Sequence, residues 1–350
     1  MTLFNTSVIA GYLSILPLII LYTDGYVEKA LIYLHALGIT CILYILVNST
    51  NDDTTTTSTA TADGNEIYGL RHLLFNLELP PKTLWFNMGL WNKENMSFPE
   101  ACENLVHAVA DKMDIMPYAS VLDVGFGCGD SCLLLADQYK SKVTGITNES
   151  SQWKIANERL TSSHLKENIT LLHGSADNLD QILPSKDTFD YITSIDSAYH
   201  YNTRWRFLES AFKRLNLNGS IGLYDLAIDA NFLHKASPMQ KNIFKFVCDT
   251  VHIPIQNLVT VGEYEEYLED IGYEDVEIEQ LDRQLVFGGL SRSFDQQYTT
   301  AMKYGIGVSL SNRIFLKVSS FLFGLLGSKP WLVPIIVKGV KQHEEEEDEP

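Results

Sequence analysis

The run Val121-Leu122-Asp123-Val124-Gly125-Phe126-Gly127-Cys128-Gly129-Asp130 sets three glycines at alternate positions between an apolar stretch and a helical pattern. Glycines there let the backbone pass close to a ligand and adopt torsions closed to other residues. A dinucleotide fingerprint needs Gly-x-Gly-x-x-Gly, and here the third glycine comes one residue early. The D-x-G-x-G-x-G spacing, with Asp123 inside the strand end, suits a nucleoside carrying an amino-acid tail, with no diphosphate to seat on a helix N-terminus. The plain alternative is a tight strand-to-helix turn. Further along, His200 lies just past a fourth apolar strand and Asp225 ends a fifth. Open α/β sheets bind ligands beyond the carboxyl ends of their strands. An imidazole with an unperturbed pKa near about 6.5 suits proton abstraction at neutral pH, with Asp225 as its neighbour across the crevice. A substrate-positioning or structural ring at His200, and a loop cap at Asp225, stay equally open. Phe126, Tyr199, Tyr201 and Trp205 add aromatic character that serves either core or substrate contact.

The elements that position these residues alternate strand and helix. Ala119–Val124, Lys142–Ile146, Ile169–His173, Phe189–Ile195 and Ser220–Tyr224 read as buried parallel strands. Helices are predicted over Asp130–Tyr139, Ser151–Leu160 and Arg204–Leu215. Another, Glu263–Ile271, closes at Gly272 before a strand near Val276–Ile278. The stretch 230–260 interrupts the alternation, and its helix over Met239–Val251 reads as a lid. The pattern predicts an α/β doubly wound parallel sheet with helices on both faces.

Composition bounds the partners. Lys and Arg total 26 against 44 Asp and Glu, a net charge of −18, which argues against nucleic acid. The five cysteines form no CxxC pair and have no histidines at zinc spacing, so no metal is expected. No obligatory protein partner is implied. Residues 1–23 and 30–47 carry no charged side chain, and each approaches the roughly 20 residues that cross a bilayer as a helix. A two-helix membrane hairpin is therefore expected over 1–48, with a polar low-complexity linker over 49–66. A hairpin returns the chain to its starting side; an endomembrane, the endoplasmic reticulum foremost, with the catalytic domain toward the cytosol, is the expected location. The segment 291–343 has no Asp or Glu from Gln296 to His343, where six cations are interleaved with apolar runs, which predicts an interfacial segment on anionic lipid. An acidic tail occupies 344–350.

The glycine loop resembles motif I of the class I S-adenosylmethionine-dependent methyltransferases, and the resemblance extends over residues 67–290. Asn87-Met88-Gly89-Leu90-Trp91 is similar to the N-G-Y-W segment of the small-molecule branch. Val143-Thr144-Gly145-Ile146-Thr147, with Ser150 and Gln152, resembles the V-T-G-I-T-x-S-x-x-Q run of tocopherol methyltransferases and cyclopropane-synthase-like enzymes. Asp196-Ser197-Ala198-Tyr199-His200-Tyr201 resembles their E-S-A-Y-H-F segment. The resemblance implies a Rossmann-like fold and S-adenosyl-L-methionine as cofactor. Gly125, Gly127 and Gly129 would line its methionine end, and Asp123 would orient the loop or the ammonium group. Asn87 and Trp91 would close over the carboxylate, while Thr147 and Asn148 would face the ribose, braced by Gln152. Ser175 and Ala176 would touch the adenine edge. Thr147 stands where most class I enzymes have a carboxylate, Ser175 where many have Asp, and Leu90 where Tyr is usual. In sugar and polyketide O-methyltransferases with a similar motif, such a His and Asp act as the base pair. The expected activity is methyl transfer to a lipophilic small molecule at oxygen, with C-methylation or cyclopropanation of a lipid, or a catalytically inactive cofactor-binding membrane adaptor, as alternatives.

Overall fold

Seven strands form one mixed sheet in the order β3-β2-β1-β4-β5-β7-β6. The computed structural model describes residues 82–250, 252–305 and 309–342. The expected hairpin over 1–48, the linker over 49–66 and the acidic tail lie outside the described residues. Among the described residues, no helix is long and apolar enough to cross a membrane.

The parallel part runs β1 (Ser120–Val124), β2 (Lys142–Thr147), β3 (Ile169–His173), β4 (Phe189–Ile195) and β5 (Leu215–Ile228). Register places Asp123 opposite Gly145 and Thr193, and Thr147 opposite His173. The glycine loop and the ends of β2, β3 and β4 therefore share one edge of the sheet. Helix α1 (Phe98–Lys112) starts at a Ser97/Glu100 capping box. Helices α2 (Asp130–Gln138), α3 (Ser150–Thr161), α4 (Leu179–Ile182) and α5 (Arg204–Arg214) fill the crossovers. The insertion after β5 holds α6 (Ala230–Lys235) and α7 (Pro238–Thr250), close to the lid helix read from the sequence. Helix α8 (Val261–Ile271) opens with a Thr260/Glu263 capping box and closes at Gly272, whose φ of 109° is the left-handed geometry that glycine supplies. The edge strand β6 (Glu274–Gln280) follows.

The sheet departs from the expected all-parallel arrangement in its last strand. β7 (Leu332–Val340) inserts between β5 and β6, antiparallel to both. Ile335 and Val337 join the core on one face of the sheet, and Ile336 joins the core on the other. A strand buried on both faces belongs to the sheet's interior, so the domain extends through β7 and the interfacial reading fails for these residues. Lys338, one of the expected lipid-facing cations, pairs with Glu277 at 3.1 Å, and Lys341 donates to the carbonyls of Phe212 and Leu215. Between β6 and β7 lie a π-helical turn (Gln284–Gly288), α9 (Gly289–Tyr304) and α10 (Leu310–Ser328).

Candidate active site

β1 delivers Asp123 into the interior and then turns sharply. Gly125, Gly127 and Gly129 have φ of 88°, 58° and 91°. At Gly127 a Cβ would stand 3.1 Å from the Phe86 ring, and at Gly125 it would collide with the Ser197 hydroxyl. The loop is thus a cradle that side chains would fill. Asp123 is buried and accepts hydrogen bonds from Ser131 Oγ at 2.5 Å, Thr193 Oγ1 at 3.0 Å and Cys132 Sγ at 3.3 Å. These bonds bind the strand to the first turn of α2 and to β4, so Asp123 orients the loop. Burial raises its carboxyl above the usual range despite those donors.

Asp130 fixes the far side of the loop, which sequence reasoning had not assigned. Arg159 on α3 grips it bidentately at 2.6 and 2.7 Å and also donates to the Cys128 carbonyl. Burial pushes the Cys128 thiol up to about 12, so at neutral pH it remains a thiol.

At the end of β2, Thr147 Oγ1 reaches Gln152 Oε1 at 3.5 Å, and the Thr147 carbonyl accepts from Gly174 N at 2.9 Å. Asn148 offers its carbonyl to the His173 ring at 3.1 Å. Ser175 caps the 3-10 turn Ala176–Asn178 through a 3.2 Å bond from Asp177 N, and Ala176 is buried. Thr147, Asn148, Ser175 and Ala176 therefore lie at neighbouring strand ends. A carboxylate lies two residues beyond Thr147: Glu149, the N-terminal flank of α3, is 6% exposed.

The segment Asn87–Trp91 lies against α1 and the residue that follows β4, with its polar groups committed inward. Asn87 donates to the Cys102 carbonyl at 3.2 Å and accepts from Gly89 N at 3.0 Å. Trp91 Nε1 donates to the Met88 carbonyl at 3.1 Å, and its backbone N–H donates to Leu285 at 2.7 Å. These two side chains shape the segment and hold it to α1 and the π-turn, instead of standing ready as hydrogen-bond donors to a carboxylate.

The segment is clasped by Asp196, a second residue the sequence reading had not singled out. Its Oδ2 accepts from Met88 N at 2.7 Å and its Oδ1 from Tyr199 OH at 2.6 Å, and its φ is 62°. Burial raises this carboxyl to about 7, against the pull of those two donors.

His200 follows in a single 3-10 turn, Ala198–His200. Its Nδ1 lies 3.2 Å from the His252 carbonyl, and its ring packs on Tyr199 with centroids 4.3 Å apart. A carbonyl only accepts, so Nδ1 carries the proton and the lone pair sits on Nε2. Burial lowers the imidazole to about 4, which keeps it neutral at physiological pH. Asn257 holds the same segment in place, donating to the carbonyls of Tyr199 and Tyr201 at 3.0 and 2.7 Å.

Asp225 is not the partner of His200. Its Oδ2 accepts from Arg204 Nη1 and Tyr264 OH, each at 2.9 Å, and its Oδ1 from Leu226 N at 2.7 Å. It is fully buried, and both of its oxygens are taken up by those three donors. The expected base pair is replaced by an internal ion pair. Of the aromatics, Tyr201 OH closes on Ser197 and the Val124 carbonyl, and Trp205 stacks on Tyr267 beside Arg204. Both serve the framework.

A family model for mycolic acid cyclopropane synthetase matches residues 55–287. Erythromycin 3''-O-methyltransferase of Saccharopolyspora erythraea is 28% identical over 199 residues, 56% of this chain and 64% of that protein. The 27-O-demethylrifamycin SV methyltransferase of Amycolatopsis mediterranei is 25% identical over 187 residues, 53% of this chain and 65% of that protein. The chain thus spans just under two thirds of the length of each of these relatives. Among solved structures, the cyclopropane synthase MmaA2 from Mycobacterium tuberculosis superposes with a TM-score of 0.62 at 17% identity, covering 81% of this chain and all of that one. With the glycine cradle, the strand order and the family match in agreement, the chain belongs to the mycolic acid cyclopropane synthetase family, within the S-adenosylmethionine-dependent methyltransferases.

Proposed function

We propose that this enzyme moves a methyl group from S-adenosylmethionine to an oxygen of a lipophilic small molecule, with His200 accepting the proton of that oxygen. The cofactor, when bound, supplies a methyl group already activated on a sulfonium. The chain then has to hold the acceptor in line and take up its proton. The carrying observation is the bond from His200 Nδ1–H to the His252 carbonyl, which leaves the Nε2 lone pair as the acceptor a base needs.

The cofactor's methionine end is assigned to the Gly125–Gly129 cradle, with the backbone of the Asn87–Trp91 segment over it. Its ribose is assigned to Thr147 and Asn148, with Gln152 bracing that strand end, and its adenine to Ser175 and Ala176. The O-methyltransferase names of the two relatives support oxygen as the acceptor atom, and the two uncharged stretches within residues 1–48 support a membrane-held site with a lipophilic acceptor.

The family match favours a second reading, C-methylation or cyclopropanation of a lipid chain. That chemistry builds positive charge on carbon, for which the Asp196 carboxylate and the Tyr199 ring are the polar and aromatic groups beside His200. Turnover of His200→Ala at saturating acceptor separates the two. Oxygen chemistry predicts a fall of about 10²- to 10⁴-fold with cofactor affinity unchanged. An unchanged rate moves the assignment to carbon.

A further inference from the structure

Helix α10 is apolar on two opposite faces, and only one of them is used. At about 100° per residue, Leu316, Ser320, Phe323 and Gly327 share one side. Leu316 and Ser320 are buried, Phe323 stacks on Phe294 of α9 at 5.7 Å, and a Cβ at Gly327 would stand 3.1 Å from the backbone N of Gly288. Hydrogen bonds from Ser291 Oγ to the Ser320 carbonyl and from Gln284 Nε2 to the Gly327 carbonyl, at 2.7 and 2.9 Å, fasten that side to α9 and the π-turn. Leu310, Ile314, Val318, Phe321, Leu322 and Leu325 fall on the other side. There Leu310 is 68% exposed and Phe321 66%, with Val318 and Leu322 also exposed. A contiguous outward stripe of this kind marks an interaction surface, since helix–helix packing is already satisfied on the inner face.

The charge around the stripe selects the partner. From Gln296 to His343 the chain has no Asp or Glu, although its net charge is −18. Lys303 and Lys329, at the ends of α9 and α10, are exposed. Arg313 has no carboxylate partner among the described residues. Lys317 is paired with Asp295 at 2.7 Å. An apolar face edged with cations is the composition that lies in an anionic lipid interface.

Placement agrees with use. The π-turn under α10 accepts the backbone N–H of Trp91, and Gly289 packs directly on the Trp91 ring. Beyond α10 the chain enters β7 at Leu332, opposite Ile228 at the carboxyl end of β5. The helix therefore stands at the end of the sheet where the glycine loop and His200 lie. We infer that the outer face of α10 docks on a leaflet rich in anionic lipid and brings the crevice to the membrane surface. The inference is independent of the acceptor atom and of the N-terminal stretches.

A fluorescent label placed by Phe321→Cys tests this in the full chain, with Cys41→Ser removing one competing thiol and the unlabelled background subtracted. Val318→Cys is the second stripe position and Leu217→Cys, at the opposite end of β5, the control. Each variant is checked for retained cofactor binding. Vesicles of phosphatidylcholine with about 30% phosphatidylserine carry spin-labelled lipid as quencher. Quenching at positions 318 and 321 but not 217 is expected, weakened by Lys303→Glu with Lys329→Glu, and weakened in about 1 M salt, where the Debye length is about 3 Å. Labels left unquenched on vesicle-bound protein overturn the inference. So do labels shielded before vesicles are added, in a dimer, which assign the face to a second copy, or in a monomer, which assign it to the chain's own N-terminal residues.

Discussion

Arg204 donates to Asp225 across 2.9 Å with both side chains fully buried. The guanidinium also lies over the rings of Trp205 and Tyr264, at 4.5 and 4.2 Å, and reaches the carbonyls of Leu226 and Asn257. Its backbone N–H donates to Asn257 Oδ1 at 3.0 Å, and Asn257 in turn holds the carbonyls on either side of His200. One buried ion pair thus ties the end of β5, the start of α5 and α8 to the turn that carries the imidazole.

Asp225→Ala would leave Arg204 as an unpaired internal cation. A loss of about 3–5 kcal/mol in unfolding free energy is expected, read by urea denaturation. A stable, cofactor-binding variant that merely loses turnover would instead restore Asp225 to a catalytic role.

Asn257→Ala removes both clasps on the His200 turn while leaving the imidazole in the chain. Turnover is expected to fall with little change in cofactor affinity, and to fall as far in Asn257→Asp, which keeps the acceptor for the Arg204 N–H but has no N–H to donate to the two carbonyls. Parallel losses of turnover and of melting temperature in both variants would reduce Asn257 to a purely structural residue.

Gly127→Val places a branched side chain against Phe86, at a φ of 58°. Cofactor binding measured by calorimetry is expected to disappear. Gly127→Ala also strains the backbone, by about 1–2 kcal/mol, and is expected to bind weakly. Wild-type affinity in the valine variant would contradict the cradle.

Asp196 and His200 titrate in opposite senses. The folded carboxyl holds its proton from the ordinary 3.8 up to about 7, so its contribution makes the fold less stable as pH rises through that window. His200 resists protonation from 6.5 down to about 4, so its contribution makes the fold less stable as pH falls there. The rate profile should therefore show no limb from His200 near 6.5. A limb near 7 should vanish in Asp196→Asn. A limb near 6.5 that survives Asp196→Asn but not His200→Gln would contradict these environments.

The parallel half of the fold is legible in the sequence because a strand buried on both faces reads as a short apolar run, as Ser120–Val124 does. β7 escaped that reading. Pro330, Pro334 and two lysines made its run look interfacial, yet Lys338 and Lys341 leave the sheet at its end to meet Glu277 and two carbonyls. The glycine loop and the position of His200 after the fourth strand are local in sequence, so spacing rules reach them. Asp196 and Asn257 act across 108 and 56–58 residues, on Met88 and on the Tyr199 and Tyr201 carbonyls, and no spacing rule carries such contacts. Asp225 misled for the same reason: the sequence ends the fifth strand at it, whereas the strand runs on to Ile228, and its partner Arg204 is set only by folding.

The most direct measurement supplies methyl-labelled S-adenosylmethionine to membranes holding the wild-type chain or the Gly127→Val variant, and follows the label into lipid extracts by mass spectrometry and fragmentation. The account predicts a labelled methyl ether or ester of a lipophilic molecule, present with the wild type and absent with the variant. Label in a ring or branch carbon, in water-soluble products only, or in no product at all would contradict it.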